Sequence, residues 1–327
     1  MQPFDLKKAT TVARAAATGA SGATSGTMFL AGGTNMTDLM KYHVLTPGRV
    51  VYLNNATSSD ISLDRRKLTI GAGATMTKVA YHPDVERYFP GIRDGLLLAA
   101  SQGIRNRATM GGNIMQRTRC PYYRNPSFAC NRREPGSGCA ALEGWNRYNA
   151  ILGGSDKCIA AHFSDVANVL AALEADVLVE GPNGKRTIAF ADFHVPPGDT
   201  PEVEYSLRPG EVVTHLEVPR SKAAENSCYV KIRDRNSYAF AISSAAAGLE
   251  VSGGRIREAK LALGAVGTVP WKVPAAETFL KGKAPTEANF RRAAAIAVEG
   301  AEPREFNAFK VELVQGALVE ALTKLSA

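Results

Sequence analysis

The 327-residue sequence contains no run of about 18 apolar residues, which excludes a membrane-spanning helix. Its N-terminus, MQPFDLKKATTVARAAATGA, lacks an apolar central region and an evident cleavage site, so it does not read as a secretory signal. A Walker A segment is absent, which argues against a P-loop nucleotide site. No fixed-period repeat is present, which argues against a solenoid. Basic residues number 39 against 31 acidic, for a net charge of +8, yet they are spread out apart from a run between Arg105 and Arg133. Without a basic cluster interleaved with stacking aromatics, nucleic-acid binding is disfavoured. The local run suits cofactor phosphates or an acidic partner surface better. The five histidines are scattered, and no Ser–His–Asp or paired-carboxylate signal stands out. Each histidine therefore reads as structural or surface.

What is present is ordinary for a folded chain: 45% apolar and 21% charged residues. The length implies two or three domains. Residues 1–56 read as a first unit, with a strand at Pro3-Phe4, a helix around 11–17, the run MFLAGG, a helix around 37–41 and the strand RVVYLNN. The short apolar run at 28–31 enters glycines, as a buried strand does. Residues 57–220 read as a second unit. It contains the strand KLTIGAGATM, a helix over 90–100, a cysteine-rich region and a helix at about 164–175. The strands ADVLVEG and KRTIAF follow, turning at 182–184, and EVVTHLEVP closes the unit. Residues 221–327 read as a third unit. NSCYVKIRDR and AFAISSAAAGLEVSGGRIREAKLALGAV form an antiparallel set with a hairpin turn at 252–254. Helices over 286–299 and 306–325 complete it.

Two loops have the composition of anion cradles, Ala31-Gly32-Gly33-Thr34-Asn35 and Thr109-Met110-Gly111-Gly112-Asn113. Consecutive glycines let the backbone approach a ligand closely. Free amide groups with a helix start just beyond favour phosphate oxygens. Arg105 and Arg107 lie just upstream of the second loop. A single Gly-Gly is usually a plain turn; two such loops about 80 residues apart favour a ligand. By contrast, Gly71-Ala72-Gly73-Ala74-Thr75-Met76 imitates a dinucleotide fingerprint, but Met76 replaces the third glycine and no complete βαβ unit with a ribose-binding acid is evident. It reads as a turn.

Four of the five cysteines, Cys120, Cys130, Cys139 and Cys158, lie within 39 residues, separated by nine, eight and eighteen positions. Neither the C-x-x-C pairs of zinc ribbons nor simple ferredoxin spacing occurs. The surrounding segment is rich in Pro, Gly and Arg, and a long irregular loop in a compact domain is usually functional. Four soft thiolates suit an iron–sulfur cluster or zinc, with Arg124, Arg132 and Arg133 available to offset their charge. Buried unpaired thiols are the bland alternative. Cys228, on an alternating strand, reads as a packed core thiol.

FLAGGTNMTDLMK, TMGGN and KIRDRNSYAFAISSAAAGL, in this order over nearly the whole chain, resemble the FAD-binding subunit of the molybdenum hydroxylases, the xanthine dehydrogenase and aldehyde oxidoreductase group. RTRCPYY, GSGCAALEG and Cys158-Ile159-Ala160 resemble more narrowly the flavin subunit of bacterial periplasmic aldehyde oxidoreductases, a subgroup with an extra 4Fe–4S cluster. The resemblance implies an α+β fold. A two-subdomain FAD-binding unit of the p-cresol methylhydroxylase type would comprise 1–56 and 57–220, with an iron–sulfur loop at 117–160. A smaller C-terminal α+β domain would span 221–327. It further implies that Met28, Phe29, Leu30, Ala31, Gly32, Gly33, Thr34, Asn35 and Met36 hold the FAD pyrophosphate. Thr109, Gly112 and Asn113 would make a second contact, Asp165 and Lys231 would lie near the cofactor, and Val213 would contribute a backbone contact. Cys120, Cys130, Cys139 and Cys158 would be the cluster ligands.

The implied activity is electron relay without a catalytic acid, base or nucleophile on this chain. A molybdenum-cofactor large subunit would oxidise an aldehyde, a 2Fe–2S small subunit would pass the electrons to FAD, and an external acceptor would take them. The assembly would be a heterotrimer, periplasmic by co-export with a partner or else cytoplasmic. Two rival readings are the flavin subunit of a hydroxybenzoyl-CoA reductase-like enzyme and a non-enzymatic zinc-binding interaction protein. Two departures from the wider family pattern are Tyr238-Ala239 in place of Phe-Asp, although the aldehyde oxidoreductase subgroup resembles Tyr-Ala, and His162-Phe163-Ser164-Asp165 in place of His-Pro-Ser-Asp, the second of which would be expected to alter the turn before Asp165.

Overall fold

A computed structural model describes residues 1–21 and 26–326. Among these residues the chain is α+β and builds three sheets. In the first, β1 (Asp5–Lys8), β3 (Arg49–Tyr52) and β2 (Thr27–Leu30) run parallel in that order. Parallel neighbours need crossover connections, and the helices Val12–Ser21 and Met36–Lys41 supply them. The second sheet is antiparallel, in the order β4 (Ile61–Leu63), β5 (Lys67–Gly71), β8 (Val212–Pro219), β6 (Asp176–Gly181) and β7 (Gly184–Ala189). The third holds β12 (Trp271–Lys272), β11 (Arg255–Gly264), β10 (Ser243–Ser252) and β9 (Ser227–Ile232), also antiparallel. Its β10–β11 hairpin turns on Gly253 and Gly254, at φ 60° and 68°. A two-residue turn that matches strand twist requires positive φ at both positions, and the pair of glycines meets that requirement.

Several elements differ from the sequence expectation. The first strand lies at Asp5–Lys8 rather than at Pro3-Phe4, and its four side chains are exposed because it sits at a sheet edge. β2 is half-buried rather than buried, because one side of it faces a large cavity. The helix Pro274–Leu280, opened by proline at its first position, was not anticipated. The last helix begins at Lys310 and not at 306. Asn307 accepts from the Arg304 amide at 2.6 Å, and Asn146 accepts from the Phe306 amide at 3.1 Å, so these residues form a turn.

One core packs the helix Asp165–Ala172, buried on every face, against the helix Pro90–Leu97 and strands β10 and β11 of the third sheet, with apolar side chains of the second sheet such as Val177 and Leu216 in the same cluster. A second core lies between the third sheet and the C-terminal helices. A third, smaller one surrounds the cysteines and includes Leu39, Tyr123 and Ile159. Each fully buried Leu, Ile or Phe contributes roughly 1.5–3 kcal/mol.

Lys310 is fully buried at the start of the last helix, and its Nζ donates to the carbonyls of Asn149 (2.9 Å) and Ala265 (2.8 Å). Burial, assisted by Arg147, lowers its pKa to about 7. A neutral amine still has N–H donors for both carbonyls. The unfolded chain, with an ordinary lysine pKa of about 10.4, holds the extra proton between those two values. Stability attributable to Lys310 therefore rises with pH from about 7 toward 10.4, and the full penalty applies below about 7. Relative to Lys310→Met, the wild type should gain up to about 1.4 kcal/mol per pH unit in this window. Denaturant unfolding at pH 7 and pH 9 measures it; parallel behaviour of the two proteins would refute a neutral buried lysine.

Candidate functional site

Both glycine loops open onto one cavity of about 1180 Å³, between the first two sheets and the 234–240 segment. It exceeds the usual span of about 300–1000 Å³ for small-molecule pockets, so it admits an elongated ligand. The first loop leaves β2 and enters the helix Met36–Lys41. The second caps the helix Met110–Ile114, with Thr109 Oγ1 accepting from the Gly112 amide at 3.2 Å. Every residue from Met28 to Met36 lines the cavity, as do Thr109, Gly112, Asn113, Asp165 and Val213.

The glycines differ in what they do. A Cβ on Gly32 would lie 2.4 Å from the Arg107 carbonyl oxygen and 3.0 Å from Ala108 Cα, so its bareness lets the first loop pack on the strand of chain that leads to the second. Gly33 adopts φ +79°, a conformation L side chains rarely take. The 71–76 turn has a role the sequence did not disclose. Ala72 and Ala74 accept from the amides of Gly111 and Met110, both at 2.9 Å, so the turn is the backbone floor beneath the second loop.

The polar side chains sort into ligand-facing and scaffold groups. Asn35 Oδ1 accepts from the Arg117 amide at 2.9 Å, while its Nδ2 is buried without a partner. Arg119 Nε and Arg124 Nη1 are likewise buried and unpartnered, and both residues line the cavity. Three orphaned donors on the wall of a large cavity fit an anionic ligand such as a dinucleotide. Asn113, in contrast, serves the scaffold: its Oδ1 accepts from Ser164 Oγ at 2.5 Å and its Nδ2 donates to Met76 Sδ at 3.3 Å.

The cations expected at the loops are not the ones found there. Arg105 donates to the Ala99 carbonyl and Arg107 to the Tyr52 hydroxyl, and neither lines the cavity. Arg117, Arg119, Arg124 and Arg235 do. Burial and neighbouring Arg124 lower the Arg119 pKa to about 10. Tyr238 and Phe240, both exposed, also line the cavity, and Tyr238 adopts φ 51°. Arg117, Arg119 and Arg124 lie within the basic run between Arg105 and Arg133 that was expected to suit cofactor phosphates, whereas Arg235, Tyr238 and Phe240 lie in RDRNSYAF, a segment read only for the family pattern.

Asp165 begins its helix, but Ser164 is the N-cap, its Oγ accepting from the Ala167 amide; the missing proline leaves this start intact. Asp165 accepts from Tyr229 Oη (2.6 Å) and Lys231 Nζ (2.8 Å). Burial raises its carboxyl pKa, opposed by Lys231 and Tyr229. Lys231 is not the solvated strand lysine its position implies. Its side chain is 1% exposed, lies behind Asp165 rather than on the cavity wall, and also donates to the Leu98 carbonyl at 3.0 Å.

The four loop cysteines gather in one small core together with Tyr123, Ala141 and Ile159. Cys130 and Cys139 face each other across an isolated antiparallel bridge, and all four thiols are free. Cys158 Sγ accepts from the Ala160 amide (3.4 Å) and Cys120 Sγ from Asn149 Nδ2 (3.5 Å). The amides of Tyr122 and Tyr123 face Cys120, those of Arg132 and Arg133 face Cys130, and those of Ala141 and Ile159 face Cys139. Burial pushes the Cys120 thiol up to about 11. Arg132 Nη2 reaches Cys158 Sγ at 3.9 Å, and Arg133 holds the carbonyls of Tyr122 and Tyr123. Arg124 does not serve the thiols as expected; it ion-pairs with Asp38 at 2.7 Å on the cavity side. Among the described residues no group of three or more His, Cys, Asp or Glu is arranged to hold a metal ion. Cys228 is buried in the second core, where desolvation pushes its thiol up to about 12.

Residues 2–221 match the family described as the FAD binding domain in molybdopterin dehydrogenase, and residues 228–325 match the CO dehydrogenase flavoprotein C-terminal domain. The chain belongs to this family, and is an FAD-binding oxidoreductase chain of the molybdenum hydroxylase type. It is 39% identical to the aldehyde oxidoreductase FAD-binding subunit PaoB of Escherichia coli (strain K12), over 100% of this chain and 99% of that protein. Its fold is that of quinoline 2-oxidoreductase from Pseudomonas putida 86, at TM-score 0.75 and 22% identity over 99% of this chain and 97% of that one. The carbon monoxide dehydrogenase of Hydrogenophaga pseudoflava has the same fold, at TM-score 0.77 and 23% identity over 99% and 98%. Membership sets aside the reading of a non-enzymatic zinc protein.

Proposed function

We propose that the chain is the FAD- and 4Fe–4S-binding electron-transfer subunit of a molybdenum-dependent aldehyde oxidoreductase. The observation that carries this reading is full-length similarity to an aldehyde oxidoreductase FAD-binding subunit in a chain whose two glycine loops share one cavity. In this reading residues 28–36 seat the FAD pyrophosphate, with Asn35 Nδ2 and the arginine edge as donors. Thr109, Gly112 and Asn113 form the second wall, Val213 contributes backbone, and Lys231 acts through Asp165. The boundaries near 56 and 220 divide the FAD-binding unit and set off the C-terminal domain. Bound FAD supplies the redox chemistry, while the chain binds it, orients it and shields it from water.

The amide-rich surroundings of Cys120, Cys130, Cys139 and Cys158 support a cluster, because N–H donors to sulfur stabilise thiolate ligands. A 4Fe–4S cubane spreads four ligands over four irons, so it does not need the convergence on one point that a single ion does. Partners in this proposal are a molybdenum-cofactor large subunit and a 2Fe–2S small subunit in a heterotrimer, with an external acceptor, exported together as a folded complex.

The test is a cofactor analysis of the purified complex for FAD, iron and acid-labile sulfide. One FAD, and four iron and four sulfide beyond those of the partner subunit, are expected per copy of this chain. FAD without the additional iron would refute the cluster, and a colourless protein would refute both cofactors.

A further inference from the structure

Glu204 stands between two arginines, and the three together connect the two candidate cofactor regions. Arg117 lines the large cavity, and its amide holds Asn35 of the first glycine loop. Its Nε approaches Glu204 Oε2 at 3.2 Å, an ion-pair contact without hydrogen-bond alignment, and its Nη1 donates to Tyr123 Oη at 3.0 Å. On the other side Arg132 Nη1 donates to Glu204 Oε1 at 2.6 Å, and its Nη2 reaches Cys158 Sγ at 3.9 Å. The side chains of Arg132 and Glu204 are only 8% and 6% exposed. Glu204 is held in place by backbone pairing, with the His194 and Tyr205 backbones bridged and the Glu204 carbonyl accepting from Val195.

The ionisable groups facing Glu204 are Arg117, Arg132, Tyr123, Tyr205 and His194. Burial lowers His194 to about 4 and raises both tyrosines, so these three are neutral near pH 7. The charged set is therefore one carboxylate and two guanidiniums, a net charge of +1. Buried charges act at longer range than exposed ones, because solvent screens them less.

We propose that Glu204 is a positioning residue that sets the electrostatic potential at the flavin cavity and at the cysteine cluster together, through Arg117 and Arg132. Reduction adds negative charge at a redox centre. A buried anion nearby holds the midpoint potential down, and the uncompensated guanidiniums would lift it. The same bridge ties the cysteine loop to the first glycine loop, so a change in one is felt at the other. The cluster half rests on the function proposed above; the flavin half needs only FAD.

The experiment is spectroelectrochemical titration of FAD, with low-temperature magnetic resonance of any cluster, in the whole complex. Glu204→Gln keeps the side-chain shape and removes the charge. It should raise the flavin midpoint, shifting the oxidised-to-reduced ratio at fixed potential by about tenfold, or about 30 mV for two electrons. Arg132→Gln should move the potentials the opposite way. Arg132→Lys keeps the charge while losing the forked contact, so it should lower the melting temperature and leave the potentials near wild type. Shifts of the same sign in Glu204→Gln and Arg132→Gln, or unchanged potentials with only a lowered melting temperature, would overturn the proposal. If the wild-type chain contains no cluster iron, the cluster reading fails by itself, and the flavin titration still decides the role of Glu204.

Discussion

Replacing Gly32 by valine should yield a protein that purifies with little or no FAD. The atoms that a side chain on Gly32 would strike are backbone, the Arg107 carbonyl oxygen at 2.4 Å and Ala108 Cα at 3.0 Å, and they cannot swing aside as a side-chain tip could. Overpacking of this kind costs about 1–3 kcal/mol. The damage is local as well, because Arg107 and Ala108 lead directly into the second loop and the Ala108 carbonyl accepts from the Met76 amide at 2.9 Å. Pushing the first loop outward therefore separates both walls of the cavity. Gly33→Asn is the informative companion. Its position needs a positive φ, which asparagine tolerates better than most residues, and the nearest neighbours of its Cβ are side-chain atoms at 3.3 and 3.5 Å. It should retain most of its flavin. The FAD-to-protein absorbance ratio reads both variants, and wild-type flavin content in Gly32→Val would show that the close approach of the loops is dispensable.

The second large effect is expected at Cys130. Serine is nearly isosteric, but its oxygen is a hard ligand where a cluster or thiophilic metal prefers sulfur. If these thiols hold the proposed cluster, Cys130→Ser should lose the iron and sulfide that it brings. The loop around it has little other regular structure. Apart from the Cys130–Cys139 bridge it relies on exchanges such as the Asn131 amide to the Gly138 carbonyl (2.7 Å), the Gly138 amide to Asn131 Oδ1 (2.8 Å) and the Cys130 amide to Ser137 Oγ (3.0 Å). We expect a largely structural role for the cluster, so the variant should be poorly assembled and readily cut by protease between 117 and 160. Arg117, Arg119 and Arg124 belong to the same loop and line the flavin cavity, so some FAD should be lost too. Full retention of iron would refute the ligand assignment. A complex that keeps its assembly and its FAD but loses turnover would make the cluster a relay rather than a staple.

Local sequence carried much of this protein. The two Gly-Gly loops, the hairpin at Gly253-Gly254 and the helix that Ser164 caps are legible because each depends on a few adjacent residues: a positive φ, a short polar cap or an alternating run. The four cysteines are legible as a group by type and proximity, and the structure gathers them in one small core. The family pattern then gave the order of the parts and the cofactor expected between them.

Other features depend on residues far apart in the chain, and only the tertiary structure decided them. The sequence marks Gly32 as permissive, yet the contact that requires it lies at Arg107 and Ala108, about 75 positions away. Arg105 and Arg107 stand next to the second loop in sequence but face elsewhere, whereas Arg117, Arg119 and Arg124 reach the cavity because the cysteine loop folds back over it. Lys231 and Lys310 are buried by partners from other elements, the first by Asp165 and the second by the carbonyls of Asn149 and Ala265. Glu204, in a segment without any motif, is positioned by backbone pairing with the 194–195 segment and acquires its charged partners, Arg117 and Arg132, only through the tertiary fold. Local preference decides how a short stretch bends; which charges are buried and which of them meet is decided by packing between distant segments, where an unpaired buried charge costs too much to persist.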